Sequence, residues 1–333
     1  MQTCCRTATD LLQEHRESSG RNGSRGPSEM IRFQGVDGLD VYNITAPFHR
    51  LGQTCLFGRV EARDVEHSKL VLFSRGDDGV WAPSDLMAPL DSLQDPCFTE
   101  VDGDIILGGV RFPVDLHDGT TGWRMEFYRL GPDGQLDHLF NGPDKMKDIR
   151  LKQLSDGSIA VFTRPQGEIG GRGRIGLTVV GSLSEVTAEV MEAGRLLPAQ
   201  HSSDEWSGAN EIHLLENGKL GVLGHLARFD HNEHRQYFAV VFTVCPSTGH
   251  AGPLRLIAER RDFPEGPKKR PDLEDVIFSG GLVRGNNGTA ELYVGLSDAA
   301  AAKIVIPDPF ASIESPPPPR WNGVTKLESA GVE

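Results

Sequence analysis

The sequence lacks the features that mark several common classes of protein. No run approaches about 20 apolar residues, so we expect no membrane-spanning helix. The N-terminus has no apolar leader, which disfavours secretion. The five cysteines form no CxxC pair and no metal-ligand spacing, a pattern typical of reduced thiols in the cytoplasm. We therefore predict a cytoplasmic protein with no metal site and no bound cofactor.

Positive charge is also scarce. A net charge of −13 would repel nucleic acid and anionic membranes, so we predict neither as a partner. Any bound anion must then be held by a local cluster of Arg, Lys and His. The chain has no GxSxG motif, and no βαβ pattern surrounds its GRGRIG stretch. With 39 glycines, 21 prolines and few amphipathic helical patterns, the composition is typical of a turn-rich β protein.

A repeat of strand, turn and strand runs along the chain. It is clear in CFTEVDGDIILGGV, RLKQLSDGSIAVFTRP, EIHLLENGKLGVLGHL and GGLVRGNNGTAELYVGL, and weaker in APFHRLGQTCLFGRVE. The repeat recurs at intervals of about 50 to 70 residues. It predicts an all-β, five-bladed β-propeller, with a β-sandwich or several small β domains as the alternative. The turn glycines are Gly52, Gly103, Gly157, Gly218 and Gly288.

Composition also divides the chain into three parts. Residues 1–29 are polar and rich in Ser, Gly and Arg, which predicts a disordered extension. Residues 30–310 contain the repeats and form the predicted propeller domain. Residues 311–333 include ESPPPPR and no strand pattern, which predicts a Pro-rich flexible tail.

Polar residues recur at a fixed distance from the turns. Residues equidistant from a hairpin turn return to the same end of the strand pair, so such residues meet around the mouth of the central channel. About eight or nine positions before the turn glycines, and about seven after, lie residues capable of binding or catalysis. They are Asn43, Asp95, Asp148 and Asn210 before the turns, and Arg59, Arg164 and His225 after them.

These side chains suit two kinds of ligand. Carboxylates with Asn and Arg suit sugar hydroxyls, and a carboxylic acid can protonate a glycosidic oxygen. Clustered Arg, Lys and His suit an oxyanion such as phosphate. A salt bridge between blades is the alternative for each Arg–Asp pair, above all for Asp148 and Glu274. Further candidates are Glu61, Lys147 and Arg150, which adjoin the register positions, and Asp275 and Asp298, which lie near the last repeat.

Eight short motifs in order resemble one enzyme family. They are DVYNITAPF, FGRVE, DPCFTEVDG, KMKDIRL, FTRP, SGANEI, LGHLARFD and VIFSGG…YVGLSDAA. The order is similar to glycoside hydrolase family 130, five-bladed propellers dominated by inverting β-mannoside phosphorylases. It is closer still to their relatives, the mannosyltransferase/phosphorylases that build and degrade mannogen, a β-1,2-linked mannan reserve. The resemblance implies inverting mannosyl transfer between β-mannosides and phosphate, mannose 1-phosphate or GDP-mannose.

The resemblance also implies roles for individual residues. Asp95 matches the general acid, which protonates the glycosidic oxygen in part through a substrate hydroxyl. Phosphate would be received by Arg164, His225 and Tyr237, with Lys147 or Arg150 as the other cation. The mannosyl unit would be held by Asn43, Arg59 and Asp298, and we add Glu61, Asp148, Asn210 and Asp275 as further substrate contacts.

Two departures from the family pattern affect these roles. Gln94 and Cys97 replace the usual Glu and Arg around Asp95-Pro96. Trp206 stands where phosphorylases often have a lysine, so one phosphate contact is either missing or supplied by Arg172 or Arg174.

Two other functions fit the same scaffold. One is an inverting β-mannoside hydrolase, in which Glu61 or Glu211 would activate water. The other is a non-catalytic sugar-binding propeller. The pairing of Arg164 with His225 favours phosphate, because a hydrolase has no need of cations where water attacks.

Overall fold

The computed structural model describes residues 6–22, 26–198 and 200–314. Five antiparallel sheets form a five-bladed β-propeller, which confirms the predicted fold. The chain begins with helix α1 (Ala8–Asn22) and strand β1 (Ser28–Met30). The first blade contains β2 (Asp40–Tyr42), β3 (Phe48–Arg50), β4 (Gln53–Glu61), β5 (Lys69–Arg75), β6 (Trp81–Pro83) and β7 (Leu90–Asp91).

The next three blades follow in chain order. The second contains β8 (Leu93–Val101), β9 (Asp104–Asp115), β10 (Thr121–Leu130) and β11 (Leu136–Asn141). The third contains β12 (Arg150–Gln153) and β13 (Ile159–Thr163), then α2 (Gly167–Gly170), β14 (Gly176–Val180), a 3-10 turn (Leu183–Glu185), α3 (Ala188–Glu192) and β15 (Arg195–Leu196). The fourth contains β16 (Trp206–Leu214), β17 (Leu220–Phe229), β18 (Arg235–Val244) and β19 (Arg255–Ala258).

The fifth blade joins both ends of the described chain. After 3-10 turns at Arg260–Asp262 and Pro271–Leu273 come β20 (Ile277–Arg284), β21 (Thr289–Leu296), β22 (Ala300–Pro307) and α4 (Ala311–Glu314). Strand β1 pairs with β22, with Ser28 opposite Ile304 and Met30 opposite Ala302. The N-terminal strand thus completes the C-terminal blade and closes the ring.

Alternating apolar residues explain why the blades stack. In β21, Ala290, Leu292 and Val294 pack into the core shared with the fourth blade. Tyr293 points the other way, into the core shared with the first blade. Because successive strand residues face opposite sides, one strand supplies both interfaces.

All five predicted turn glycines lie in the left-handed region that glycine adopts most readily. Their φ angles are 79° at Gly52, 85° at Gly103, 88° at Gly157, 76° at Gly218 and 78° at Gly288. Each turn joins the two strands of one hairpin. These hairpins are β3–β4, β8–β9, β12–β13, β16–β17 and β20–β21. The sequence repeat is therefore the repeat of these hairpins.

The prediction of disorder for residues 1–29 is wrong over helix α1. Ala8, Leu11 and Leu12 are buried on one face and pack against the fourth blade. Burying each leucine stabilises the fold by roughly 1.5–3 kcal/mol. The side chain of Arg16 also forms a two-pronged ion pair with Glu259, at 2.8 and 2.6 Å. The short apolar face at helical spacing therefore folds this segment onto the propeller despite its polar composition. Residues 1–5 and 23–25 lie outside the described residues.

The C-terminal boundary of the propeller lies beyond the predicted residue 310. Helix α4 continues to Glu314, whose carboxylate bonds to the guanidinium of Arg284 on β20. Ile313 packs against the core of the fifth blade. The rest of the predicted tail, residues 315–333, lies outside the described residues.

Candidate active site

A cavity of about 540 Å³ opens where strand ends from all five blades meet. Its wall includes most of the residues predicted from the turn register and from the family resemblance. Those residues are Asn43, Arg59, Asp95, Lys147, Asp148, Arg164, His225, Tyr237 and Asp298. The register argument therefore brought together side chains that lie far apart in the sequence.

Four of these residues have an unusual backbone conformation. The φ angle is 46° at Asn43, 49° at Asp95, 56° at Asp148 and 50° at Asp298. Asn and Asp tolerate this left-handed region better than other side chains, but each such residue still costs on the order of 1 kcal/mol. At Asp95 the pairing of β8 with β9 also shifts register, as at a β-bulge. Strained residues of this kind cluster at functional sites.

Asp95 accepts hydrogen bonds from two neighbouring side chains. The Asn43 amide Nδ2 donates to its Oδ1 at 2.8 Å, and Arg59 Nη1 lies 3.1 Å from the same oxygen. Burial alone would raise the pKa of Asp95, but Arg59, Lys147 and these hydrogen bonds hold it below its ordinary value. Asp95 is therefore a carboxylate near pH 7.

The second carboxyl group of the cavity behaves in the opposite way. Burial raises the pKa of Asp298; Arg59 opposes that rise, and the nearby charge of Asp95 adds to it. Asp95 and Asp298 both lie near the Arg59 guanidinium, yet the pKa of Asp95 is lowered and that of Asp298 is raised. Neighbouring carboxyl groups with shifted pKa values are typical of an active site.

Glu61, predicted to contact substrate, lies behind this wall and does not line the cavity. Its carboxylate accepts hydrogen bonds from Tyr42, Ser68 and Lys269, and from Arg59 Nη2 at 2.9 Å. Burial raises its pKa, but Arg59 and the other donors hold the pKa below its ordinary value. Glu61 therefore fixes Arg59 and Lys269 in position.

The opposite wall contains the predicted anion-binding residues. Arg164 Nη1 donates to Asp148 Oδ2 at 3.0 Å, and the Arg164 Nε is buried without a partner among the described residues. The His225 imidazole stacks on the Tyr237 ring with centroids 5.2 Å apart. Trp206 Nε1 in turn donates to the Tyr237 hydroxyl at 3.0 Å. Burial is the largest influence on His225 and lowers its pKa to about 4, so the ring is neutral near pH 7.

Three other predicted residues lie outside the cavity. Arg150 is buried and outside the cavity, and its guanidinium donates to the carbonyls of Asn210 and Ile149; its contact with phosphate stays a prediction. Asn210 lies behind His225, whose Nδ1 is 3.0 Å from its amide. Asp275 is exposed, accepts from Gln236 at 3.2 Å and does not line the cavity, so its substrate contact stays a prediction.

The described part of the chain contains no helix long and apolar enough to cross a membrane. A family model described as a protein of unknown function (DUF1861) matches residues 21–312. MPT-4, a mannose phosphorylase from Leishmania mexicana solved with phosphate ion, is 32% identical with a TM-score of 0.82, over 91% of this chain and 95% of that one. The chain belongs to the DUF1861 family and to the mannosyltransferase/phosphorylase family of MPT-4.

Two further solved structures resemble the chain. MPT-1, a GDP-Man-dependent mannosyltransferase from Leishmania mexicana, is 29% identical with a TM-score of 0.80, over 92% of this chain and 97% of that one. A β-1,2-mannobiose phosphorylase from Listeria innocua is 12% identical with a TM-score of 0.57, over 81% and 91% of the chains, and shows the shared fold alone. No curated protein sequence matches the chain. The family predicted from the eight motifs is confirmed.

In this member of the mannosyltransferase/phosphorylase family, a glycine-rich loop has the sequence GEIGGRGRIG (residues 167–176). This loop contributes Arg172 to the cavity and not Arg174. The Arg172 guanidinium lies 5.2 Å from the Phe229 ring centroid and 5.9 Å from that of Trp206. Gly173, at a φ of 140°, packs so close to Arg164 that a Cβ would lie 2.6 Å from its Nε. The aromatic rings and this close contact hold the loop against the anion-binding wall.

Several lining residues were not predicted. Lys269 and Arg270 come from the loop before the last blade, and their signal was the basic run KKR beside the predicted Asp275. Trp123 lies near the start of β10 and faces Lys147, whose Nζ lies 5.5 Å from the ring centroid. None of these three residues lies at the fixed distance from a turn glycine that the register requires, so the register could not predict them.

Proposed function

We propose that the protein is an inverting β-mannoside phosphorylase/mannosyltransferase that acts on β-1,2-linked mannan oligosaccharides. The observation that carries the proposal is one cavity with two chemically different walls. One wall presents Asp95, Asn43 and Arg59, which suit a sugar and its glycosidic oxygen. The other presents Arg164 and His225 beside Lys147, which suit phosphate.

The mechanism is a single displacement. Asp95 delivers a proton to the glycosidic oxygen, directly or through a sugar hydroxyl, while a phosphate oxygen attacks the anomeric carbon from the opposite face. The C–O bond to the leaving sugar breaks as the new C–O bond to phosphate forms, giving α-mannose 1-phosphate. A bound sugar removes the remaining solvent from Asp95, and desolvation raises the pKa of that carboxyl toward the protonated form.

Unpaired positive charge favours phosphate over water as the attacking group. Lys147 and Arg172 form no ion pair with any residue that the structure describes, and each lies over an aromatic ring instead. The two glutamates that could activate water in a hydrolase are already engaged in hydrogen bonds within the protein. Glu61 is saturated with hydrogen bonds, and Glu211 bonds to His213 and to the Leu282 N–H, away from this cavity.

The relatives support the proposal. MPT-4 is a mannose phosphorylase solved with phosphate ion, and MPT-1 is a GDP-Man-dependent mannosyltransferase. We accordingly propose that GDP-mannose is a second donor for this chain. A cytoplasmic location and independence from any cofactor remain predictions from the sequence.

Product analysis tests the proposal. Purified protein is incubated with β-1,2-mannan oligosaccharide in the presence and absence of phosphate, and separately with GDP-mannose and an acceptor. We expect α-mannose 1-phosphate only when phosphate is present, and a lengthened oligosaccharide from GDP-mannose. Free mannose without phosphate would identify a hydrolase. Binding of oligosaccharide without turnover, unchanged in Asp95→Asn, would identify a sugar-binding protein.

The role of the glycine-rich loop can be tested with two matched substitutions. Arg172→Ala removes an unpaired cation from the cavity wall, and we expect the KM for phosphate to rise about tenfold, since a hydrogen bond to a charged group contributes about 1.5–3 kcal/mol. Arg174→Ala removes the same charge from the same loop but not from the cavity, so its KM should stay near that of the wild type. Equal effects of the two substitutions on the KM would contradict a direct contact by Arg172.

A further inference from the structure

A chain of buried polar groups lies behind His225. The Asn210 amide, with its Oδ1 placed toward them, lies 3.0 Å from His225 Nδ1 and 3.3 Å from the Ser279 Oγ, and a 180° turn of the amide brings Nδ2 to the same place. Ser279 Oγ is in turn 2.8 Å from the Gly224 carbonyl oxygen. Asn210, His225 and Ser279 are all almost fully buried. Because these side chains are shielded from bulk solvent, each hydrogen bond among them needs one donor and one acceptor.

The positions of the protons follow from counting donors. The Gly224 carbonyl can only accept, so the single hydroxyl proton of Ser279 is directed to it. Toward Asn210 the Ser279 oxygen then offers only lone pairs, and the amide must present its NH₂ end. That NH₂ group has two protons, one for Ser279 Oγ and one for His225 Nδ1. His225 Nδ1 is therefore an acceptor.

The other end of the amide supports this orientation. It forms no hydrogen bond with the described residues. A buried carbonyl oxygen without a partner is tolerated more often than a buried N–H without one. The orientation that turns the NH₂ group toward His225 therefore leaves the less costly atom unpaired.

A neutral imidazole has one ring proton, so an accepting Nδ1 places that proton on Nε2. His225 Nε2 lies 3.8 Å from Asp148 Oδ2 on the cavity wall. The backbone of Gly208 fits tightly behind this pair, because a Cβ there would lie 2.6 Å from both Asp148 Oδ2 and His225 Cε1. The ring is thus fixed in place, and its N–H faces the site that also contains Arg164.

We propose that Asn210 and Ser279 are positioning residues that hold neutral His225 in the Nε2–H form, so that it donates a hydrogen bond to phosphate beside Arg164. The inference rests on the proposed function, since phosphate is the acceptor. With the other tautomer a nitrogen lone pair would face the phosphate oxygens, and the hydrogen bond would be replaced by repulsion. Asn210, predicted as a sugar contact, instead acts through His225.

The tautomer can be observed directly by long-range 15N–1H NMR of the histidine rings. His225→Gln identifies the His225 signals by their loss. We expect wild-type protein to show Nε2–H, and inorganic phosphate to shift that proton. Asn210→Asp presents only acceptor atoms, so it should move the proton to Nδ1 or add a second proton, and raise the KM for phosphate about tenfold. Ser279→Ala frees the amide to rotate and should give a mixture of the two forms.

A matched control is Ser207→Ala, which removes another buried hydroxyl from the fourth blade, one that bonds to Gln200 at 3.2 Å. This variant should keep the wild-type His225 signals. A wild-type Nδ1–H signal, or Nε2–H retained in both Asn210→Asp and Ser279→Ala, overturns the positioning role even if phosphorolysis is observed. Nε2–H signals that phosphate leaves unmoved overturn the donation to phosphate and count against the proposed function itself.

Discussion

Asp95→Asn is expected to lower kcat for mannosyl transfer by roughly 10²- to 10⁴-fold, the range found when a general acid is removed. The amide oxygen can still accept the hydrogen bonds from Asn43 and Arg59. Asn also tolerates the left-handed backbone at this position. The fold and oligosaccharide affinity should therefore be largely kept while proton delivery is lost. Initial rates with saturating phosphate and calorimetry with oligosaccharide measure the two quantities.

Asp298→Asn provides the matched control for this experiment. Both residues are Asp beside Arg59 with positive φ, but the pKa of Asp298 is raised and that of Asp95 is lowered. An amide resembles a protonated carboxyl group, so Asp298→Asn should reduce kcat far less than Asp95→Asn. If Asp298→Asn proves the more damaging, the proton donor is Asp298 and the assignment of Asp95 is wrong.

Arg164→Gln is expected to destabilise the protein by about 3–5 kcal/mol, because it leaves the buried carboxylate of Asp148 without its cation. It should also raise the KM for phosphate at least tenfold. Chemical denaturation measures the free energy of unfolding, and phosphate titration of the initial rate measures the KM. The two effects separate the structural role of the ion pair from its role in binding.

The double variant Asp148→Asn/Arg164→Gln makes that separation explicit. With no buried charge left unpaired, most of the stability should return, while phosphate binding should not. If phosphate binding returns with stability, Arg164 serves only as a salt-bridge partner.

Low pH gives an independent check of the same ion pair. Burial raises the pKa of Asp148, but the Arg164 guanidinium holds it below its ordinary value. A carboxyl whose folded pKa is lowered stabilises the fold above its unfolded pKa of about 3.9, and that stabilisation is lost as the pH falls further. The free-energy difference between wild type and Arg164→Gln should therefore shrink in acid.

The sequence predicted the fold because one local feature, a glycine turn between short apolar strands, recurs in every blade. It also predicted the end of the strands at which polar residues meet. It could not predict which face of a strand end points into the cavity. Arg150 and Lys147 lie three positions apart, yet only Lys147 lines the cavity. Asn210 is at a register shift between β16 and β17, and such shifts are not visible in spacing alone.

Residues away from the hairpins were found or missed for other reasons. Tyr237 lies on β18, outside the hairpins, and was predicted only from the family resemblance. Lys269 is held by Glu61, a contact between residues 208 positions apart that no local pattern encodes. Helix α1 was missed because only a few of its side chains are apolar, and their partners come from the fourth blade.

The pairing of β1 with β22 has a consequence for synthesis on the ribosome. The ribosome makes strand β1 well before its partner residues 302–304, because almost the whole propeller lies between them in sequence. Val41 and Phe73 of the first blade pack against Tyr293 and Ala301 of the last. The nascent protein must therefore hold an uncovered apolar blade face until the last blade has been made, and contacts so distant in sequence form slowly. The first blade to be made is the last to be covered.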